Sequence, residues 1–305
     1  MSGEPAAFAQ RGNDAPVAGA RVVIESLRAL VAGAVRSRVV GADAERRAAE
    51  LFDAPGERWF AEGAAIRVVH GDTSMFIGGL RALLLQSLHP LAMAGVAQHS
   101  DYKADPWGRL QRTADFLAAT TYGPATEAQR AIDMVKRVHT RVVGTASDGR
   151  PYSANDPHLL KWVHLAEIDS FVAAHRRFGA EKLSAEQYDE YVDQMARVAE
   201  ALGVKSPPRT IDEMKDQLRA YRPELRTSEE ARDAARYLLL TPPLPLIARA
   251  PYGVLGSAAV SLLPVWARVP LRLPWLPVSE RALVRPVGEA LSRLLRWAMQ
   301  PEAPR

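Results

Sequence analysis

The sequence predicts an all-α fold, and three observations carry that expectation. Ala, Leu, Val and Arg dominate a chain of 305 residues that is 48% hydrophobic. That composition favours helices and supplies a substantial core. No stretch alternates apolar and polar residues over more than a few positions, and no internal repeat is visible. Helix start and stop signals recur along the chain instead.

The elements follow in order. Met1 to Gly19 is rich in Gly, Ala and Pro and reads as a disordered tail. Arg21 to Val40 and Ala44 to Phe52 read as short helices split by Gly41, and Ala61 to Val69 follows the Pro55-Gly56 break. Asp72 or Thr73 is placed to cap a helix from Met75 to Leu88. It stops at His89-Pro90, because proline pushes the residue before it out of the helical region. Pro90 opens a new turn. Asp105 as cap and Pro106 behind it start a helix carrying Arg109 to Thr120; Pro124 and Thr126 open the next, expected to run to Gly144. The loop Thr145 to Ala154 holds the turn dipeptide Asp148-Gly149. Asn155-Asp156-Pro157 starts a long helix to Phe178, ended by Gly179. Ser184 with Gln187 makes a capping box for a helix to Leu202, closed by Gly203, and Thr210 with Glu213 makes another for a helix to Arg219. Ser228 to Leu240 is helical and ends at Thr241-Pro242-Pro243.

The last 65 residues change character. The apolar runs Ala248 to Leu263 and Val265 to Leu276 are broken by Pro251, Pro264, Pro270, Pro274 and Pro277. From Arg236 to Arg296 eight arginines (236, 249, 268, 272, 281, 285, 293 and 296) stand against Glu280 and Glu289. The segment is read as packed core with a solvated rim, or as a basic apolar face for a membrane surface. The expected organisation is a tail over 1–19, one helical domain over 20–240, and a C-terminal part, 241–305, packed on that domain.

Composition excludes several classes. The net charge of +4 is mild, and no helix-turn-helix, zinc-finger or RNA-binding signature accompanies it, so no nucleic-acid partner is expected. The absence of Cys removes disulfides, iron–sulfur clusters, thiolate-ligated haem and Cys-based zinc sites. No run of 18 apolar residues occurs and no signal-peptide core precedes the first helix. The expected location is cytoplasmic or peripheral at a membrane.

Chemistry concentrates in Trp107-Gly108-Arg109-Leu110-Gln111-Arg112-Thr113 and in Val135-Lys136-Arg137-Val138-His139. On a helix Arg109 and Thr113 are i and i+4 and share a face, with Arg112 one step round; Phe116 and Leu117 turn that face inward. His139 continues the apolar stripe of Ile132, Val135 and Val142. A lone histidine on such a stripe is more often a core residue than a ligand, and charge runs are usually solvated. His164, on a stripe with Leu160 and Ile168, is a rival ligand. His89 and His99 are read as fixing a loop, and His70, His158 and His175 as surface or capping residues. Asp101 and Asp105 are candidate carboxylates, although capping accounts for Asp105. A non-haem metal bound by His89, His99, His139 and His164 is an alternative, as is a cofactor-free helical lipid-binding protein.

The motifs together resemble a known family. Leu88-His89-Pro90, Gly95-Val96, His99-Ser100-Asp101 and Asp105-Pro106 through Thr113 carry the likeness. So do Arg137 through Gly144, Gly149-Arg150-Pro151-Tyr152-Ser153-Ala154, Asp156-Pro157, Trp162-Val163-His164 and Asp169-Ser170. The family is DUF2236, that of the MpaB oxygenase and the rubber oxygenase (latex clearing protein) catalytic domain. The likeness covers roughly Arg67 to Gly203 and is fainter in the Pro-rich C-terminal part. It implies a globin-related multi-helix bundle around a haem b pocket, and an oxygenase using dioxygen on an apolar, olefinic, isoprenoid- or lipid-like substrate. It implies His139 as the proximal iron ligand. It implies a distal motif at Arg109 to Thr113, with Arg112 where the family has lysine. A guanidinium stays protonated and does not readily ligate iron, so the sixth position is expected open or water-filled.

Overall fold

The computed structural model describes residues 51–100 and 102–299. The expectations for Met1 to Gly19, for Arg21 to Val40, for most of Ala44 to Phe52 and for Asp101 lie outside the described residues. The described chain is predominantly helical. Its helices are α1 (Ala65–Gly71), α2 (Met75–Gln86), α3 (Pro90–His99), α4 (Pro106–Tyr122), α5 (Ala125–His139), α6 (Pro157–Phe178), α7 (Ala185–Leu202), α8 (Ile211–Tyr221), α9 (Glu229–Leu240), α10 (Leu246–Leu262), α11 (Val265–Arg268), α12 (Pro277–Ser279) and α13 (Arg285–Met299). Strand is confined, among the described residues, to β1 (Val143–Thr145) paired antiparallel with β2 (Pro151–Ser153), Gly144 facing Tyr152.

Local chemistry explains most boundaries. Asp105 caps α4 by accepting from the Gly108 amide at 2.9 Å. A Cβ at Gly108 would stand 2.2 Å from that carboxylate, so the tight cap requires glycine. The Ser184–Gln187 capping box forms in full, and Gly203 closes α7 in the left-handed region at φ +110°. The helix expected to reach Gly144 stops at His139 instead. Val142 and Val143 are β-branched and favour extended backbone, and Gly149 at φ +84° supplies the turn that pairs the two strands.

The centre of the molecule is the pair α2 and α6. The two approach closely at Gly78, where a Cβ would stand 2.8 Å from the Phe171 ring. Arg81 of α2, 3% exposed, fixes their register. It donates to Ser170 Oγ at 2.7 Å and to the Leu262 carbonyl at 3.1 Å, and pairs with Asp169 at 2.7 Å. Trp162 of α6, fully buried, donates to the Gln86 carbonyl at 3.0 Å. Around this pair, α1 packs on α7, and α8 and α10 close the remaining sides.

Helices α4 and α5 form an antiparallel hairpin about Gly123-Pro124. Arg58 ties its turn, donating to the carbonyls of Tyr122 at 2.9 Å, Phe52 at 2.7 Å and Ala54 at 3.2 Å.

The C-terminal segment packs on this body, with differences from expectation. α10 runs through Pro251, whose missing N–H falls opposite the carbonyl of Ile247 in the exposed first turn. Val265 to Leu276 is helical only over α11. Arg268 is buried there rather than solvated. It pairs with Glu280 at 2.5 Å and donates to the carbonyls of Leu263 and Ser261 at 2.7 and 2.8 Å. Arg296 likewise turns inward to Asp72 at 3.1 Å. Arg236, Arg249, Arg272, Arg281 and Arg293 remain exposed.

Removing one partner of the central ion pair leaves Asp169 uncompensated and two acceptors unserved. Arg81→Met should therefore lower stability by about 3 kcal/mol. Urea unfolding checks this; a variant within about 0.5 kcal/mol of the parent would show that the clamp contributes nothing.

Candidate functional site

Arg109 and His139 lie equally far in sequence from Pro124, on the two arms of the α4–α5 hairpin. The antiparallel fold therefore carries both to the same end of the molecule. There they meet α3 and the β1–β2 hairpin. Arg109 donates to Ser100 Oγ, just past α3. His99 is bonded to the Val143 carbonyl at 3.1 Å, Gln98 donates to the Thr145 carbonyl at 3.0 Å, and Tyr152 donates to Gln98 Oε1 at 2.6 Å. Gly144 permits this, because a Cβ there would stand 2.6 Å from the Tyr152 hydroxyl.

The three residues of the distal motif fall in different surroundings. Arg109 is largely enclosed; burial, with the nearby Arg112 charge, lowers its pKa from the usual value. Arg112 is exposed and pairs with the capping Asp105 at 3.2 Å. Thr113 is exposed, and its hydroxyl donates to the Arg109 carbonyl at 3.0 Å. Phe116 and Leu117 of the same helix pack on the main core.

His139 ends α5. Burial is the main cause lowering its pKa, opposed by a hydrogen bond to the Ala154 backbone. Its Nδ1 is buried with no hydrogen-bond partner. A neutral imidazole, oriented through one nitrogen and free at the other, is the donor that haem iron or another metal takes. The residue present at this position therefore fits the group that the sequence motifs imply.

His164 is 6% exposed, its Nε2 also lacks a partner, and burial drives its pKa down to about 3. Two histidines expected as surface or capping residues lie in the last turns of their helices but point inward. His70 is bonded to Thr121 Oγ1 at 2.8 Å and Tyr191 Oη at 3.3 Å, and burial lowers it to about 3. His175, 1% exposed, meets Tyr188 Oη at 3.0 Å. Their short helical neighbourhoods gave no sign of this, because the enclosing groups come from distant elements. Sequence reasoning also missed Glu167. It follows His164 by one helical step on α6, and burial raises it to about 7.

The proposed four-histidine metal set is not assembled. Among the described residues, His89 stands instead with His158 and Glu224, their ligand atoms all within 4.8 Å of one another. His158 Nε2 lies 2.8 Å and His89 Nε2 3.6 Å from Glu224 Oε2.

Comparison with known proteins bears on this geometry. A family model described as the ER-bound oxygenase mpaB/B'/rubber oxygenase catalytic domain matches residues 67–298. The match runs from within α1 into α13, so it takes in the Pro-rich C-terminal segment as well as His139 and the His89–His158–Glu224 group. No curated protein and no solved structure matches the chain.

The buried titratable groups set a pH dependence. His70 and His164, lowered to about 3, stay neutral in the folded protein while the unfolded chain protonates them below about 6.5. Each then removes about 1.4 kcal/mol of stability per pH unit as pH falls from 6.5 towards 3. Glu167 opposes them. Folded, it keeps its proton up to about 7, so falling pH restores stability between about 7 and 4.5. The two histidines outweigh one carboxylate, and unfolding at pH 6 and 5 should show a net loss. His164→Leu should flatten that slope by about 1.4 kcal/mol per unit; an unchanged slope would mean that His164 titrates normally.

Proposed function

Because the chain belongs to the mpaB and rubber oxygenase catalytic-domain family, we propose that it is a haem b-dependent oxygenase acting with dioxygen on an apolar olefinic substrate of isoprenoid or lipid type. The family is an oxygenase family, whose reaction takes a small-molecule substrate and dioxygen. The finer reading rests chiefly on one observation, the half-buried, neutral His139 with an enclosed and unpartnered Nδ1.

His139 would hold haem b, which when bound would supply the iron for activating dioxygen. The chain supplies orientation and charge. The Ala154 backbone fixes the His139 ring and its tautomer. Arg109, a cation in a largely enclosed setting, offers stabilisation to negative charge that develops on oxygen. Ser100 holds that guanidinium in place. Thr113 serves by rotating its hydroxyl from the Arg109 carbonyl. Arg112, paired with Asp105, steadies the first turn of α4 and lies one step from the reacting face. Phe116 and Leu117 give the same helix an apolar inner surface, suited to an apolar substrate.

We also propose peripheral attachment to an anionic membrane, where such a substrate dissolves. Among the described residues no single helix is long and apolar enough to cross a bilayer. The C-terminal segment nevertheless exposes Leu246, Ile247, Trp275, Leu276, Val278 and Leu283 beside the exposed Arg249, Arg272 and Arg281. Arg268, which is buried, and Arg296, which is half-buried on Asp72, do not add to that face.

The absorption spectrum of protein produced with adequate iron tests the cofactor. A Soret band should appear in the parent and be lost in His139→Ala, while helical content persists. Arg109→Ala should keep the band and lose turnover of a linear isoprenoid olefin by about tenfold to a thousandfold. Metal without a Soret band would favour the non-haem alternative. Lipid binding without either would favour a carrier.

Vesicle sedimentation tests the attachment. The protein should pellet with anionic vesicles at low salt and be released as ionic strength rises, each basic residue contributing about 1 kcal/mol at the surface. Protein left in the supernatant under those conditions would refute it.

A further inference from the structure

We propose that His89, His158 and Glu224 form a binding site for a divalent transition-metal ion of the zinc and ferrous class, separate from the position assigned to haem at His139. The inference does not depend on the haem reading.

The donor set is two imidazoles and one carboxylate. That combination suits a borderline divalent ion and leaves coordination positions for water. The spacing suits it too. Ligands bonded at about 2.0–2.1 Å in a tetrahedral site stand about 3.3–3.4 Å from one another. Here the histidine nitrogens lie 2.8 and 3.6 Å from Glu224 Oε2, each within about half an ångström of that separation, and all three ligand atoms stand within 4.8 Å of one another.

His89 supplies the independent observation. It is 1% exposed, and neither ring nitrogen has a hydrogen-bond partner. A buried imidazole with unserved nitrogens is costly, and an ion held at Nε2, the nitrogen that faces Glu224, removes part of that cost. An ordinary ion pair between His158 and Glu224 would need only those two residues and leaves His89 unexplained.

The surroundings are built to hold the three donors. His89 caps α3, with Pro90 fixing the helix start, and the Arg226 amide donates to the neighbouring Leu88 carbonyl at 2.9 Å. His158 opens α6, its amide bonded to the capping Asp156 at 2.9 Å. Tyr221 stacks on the His158 ring at 4.6 Å, with its hydroxyl 3.2 Å from Nδ1 and donating to the His158 carbonyl at 2.8 Å. That is the outer partner which orients a ligating histidine through its second nitrogen. Glu224 ends a short 3₁₀ turn, Arg222–Glu224, directly after α8. His158 and Glu224 are about half exposed, which gives an ion a way in from solvent.

The full chain, stripped with a chelator and titrated calorimetrically with Zn²⁺, tests the proposal. One ion per chain should bind and raise the unfolding temperature. His89→Ala and Glu224→Gln should each weaken binding by about tenfold or more and abolish the thermal shift, with the Soret absorbance unchanged. Glu224→Gln, at an exposed and nearly isosteric position, carries the test if His89→Ala does not fold. Unsaturable binding by the parent, or equal binding by parent and both variants, would mean adventitious surface zinc only and overturn the site. Loss of haem in His139→Ala with zinc binding intact separates this outcome from that of the oxygenase reading.

Discussion

The arrangement depends first on the buried guanidinium of Arg81. An arginine cannot be neutralised, so its burial between α2 and α6 is tolerable only with its donors served. Asp169, Ser170 and the last carbonyl of α10 serve them. These partners leave little freedom for sliding α6 along α2. The buried polar groups carried by α6 depend on that register. His89 lies just beyond the end of α2, and His158, His164 and Glu167 all ride on α6. A shift of one residue would turn each of these side chains by about 100°.

The interior polar groups carry the functional meaning. Three buried histidines, at 89, 164 and 175, and the half-buried His139 each keep an enclosed nitrogen with no partner. Such groups rarely persist in a core without a use. Two of them stand in settings that suit a metal or cofactor: His139 beside the Ala154 backbone, and His89 beside Glu224. The mpaB and rubber oxygenase family, whose model spans both, is an oxygenase family. Arg109 and Arg112 are close in sequence yet differ in kind: one is held inward by Ser100, the other is spent on a helix cap.

Much of the fold was legible because helix ends are written locally. The caps at Asp105 and Ser184 are short-range chemistry and form as the sequence predicts, whereas Thr210 accepts from the Glu213 amide but the box stays incomplete, because the Glu213 carboxylate accepts from the Arg209 amide. The β1–β2 hairpin was not, since three-residue strands carry too few alternations to register as a period. His70 and His175 were misplaced for the opposite reason. Their burial is decided by Thr121, Tyr188 and Tyr191, which no local window contains. The grouping of residues 89, 158 and 224 has no sequence spacing at all; it exists only after α3, α6 and α8 converge. The arginines of the C-terminal segment read as one charged block, yet Arg268 and Arg296 have acidic partners that draw them inside.

The hairpin of α4 and α5 has a consequence for how such a protein can change over evolutionary time. Arg109 and His139 are level because the two arms are of matched length about Gly123-Pro124, and Arg58 pins that turn. Losing a single residue from one arm would lower its functional side chain by about 1.5 Å and swing it about a quarter-turn away. Only a compensating change in the other arm, or a whole added turn, would restore the pairing. Length variation among descendants of this chain should therefore be barred from the two arms and collect in connections that no such symmetry governs, such as the Asp148-Gly149 turn.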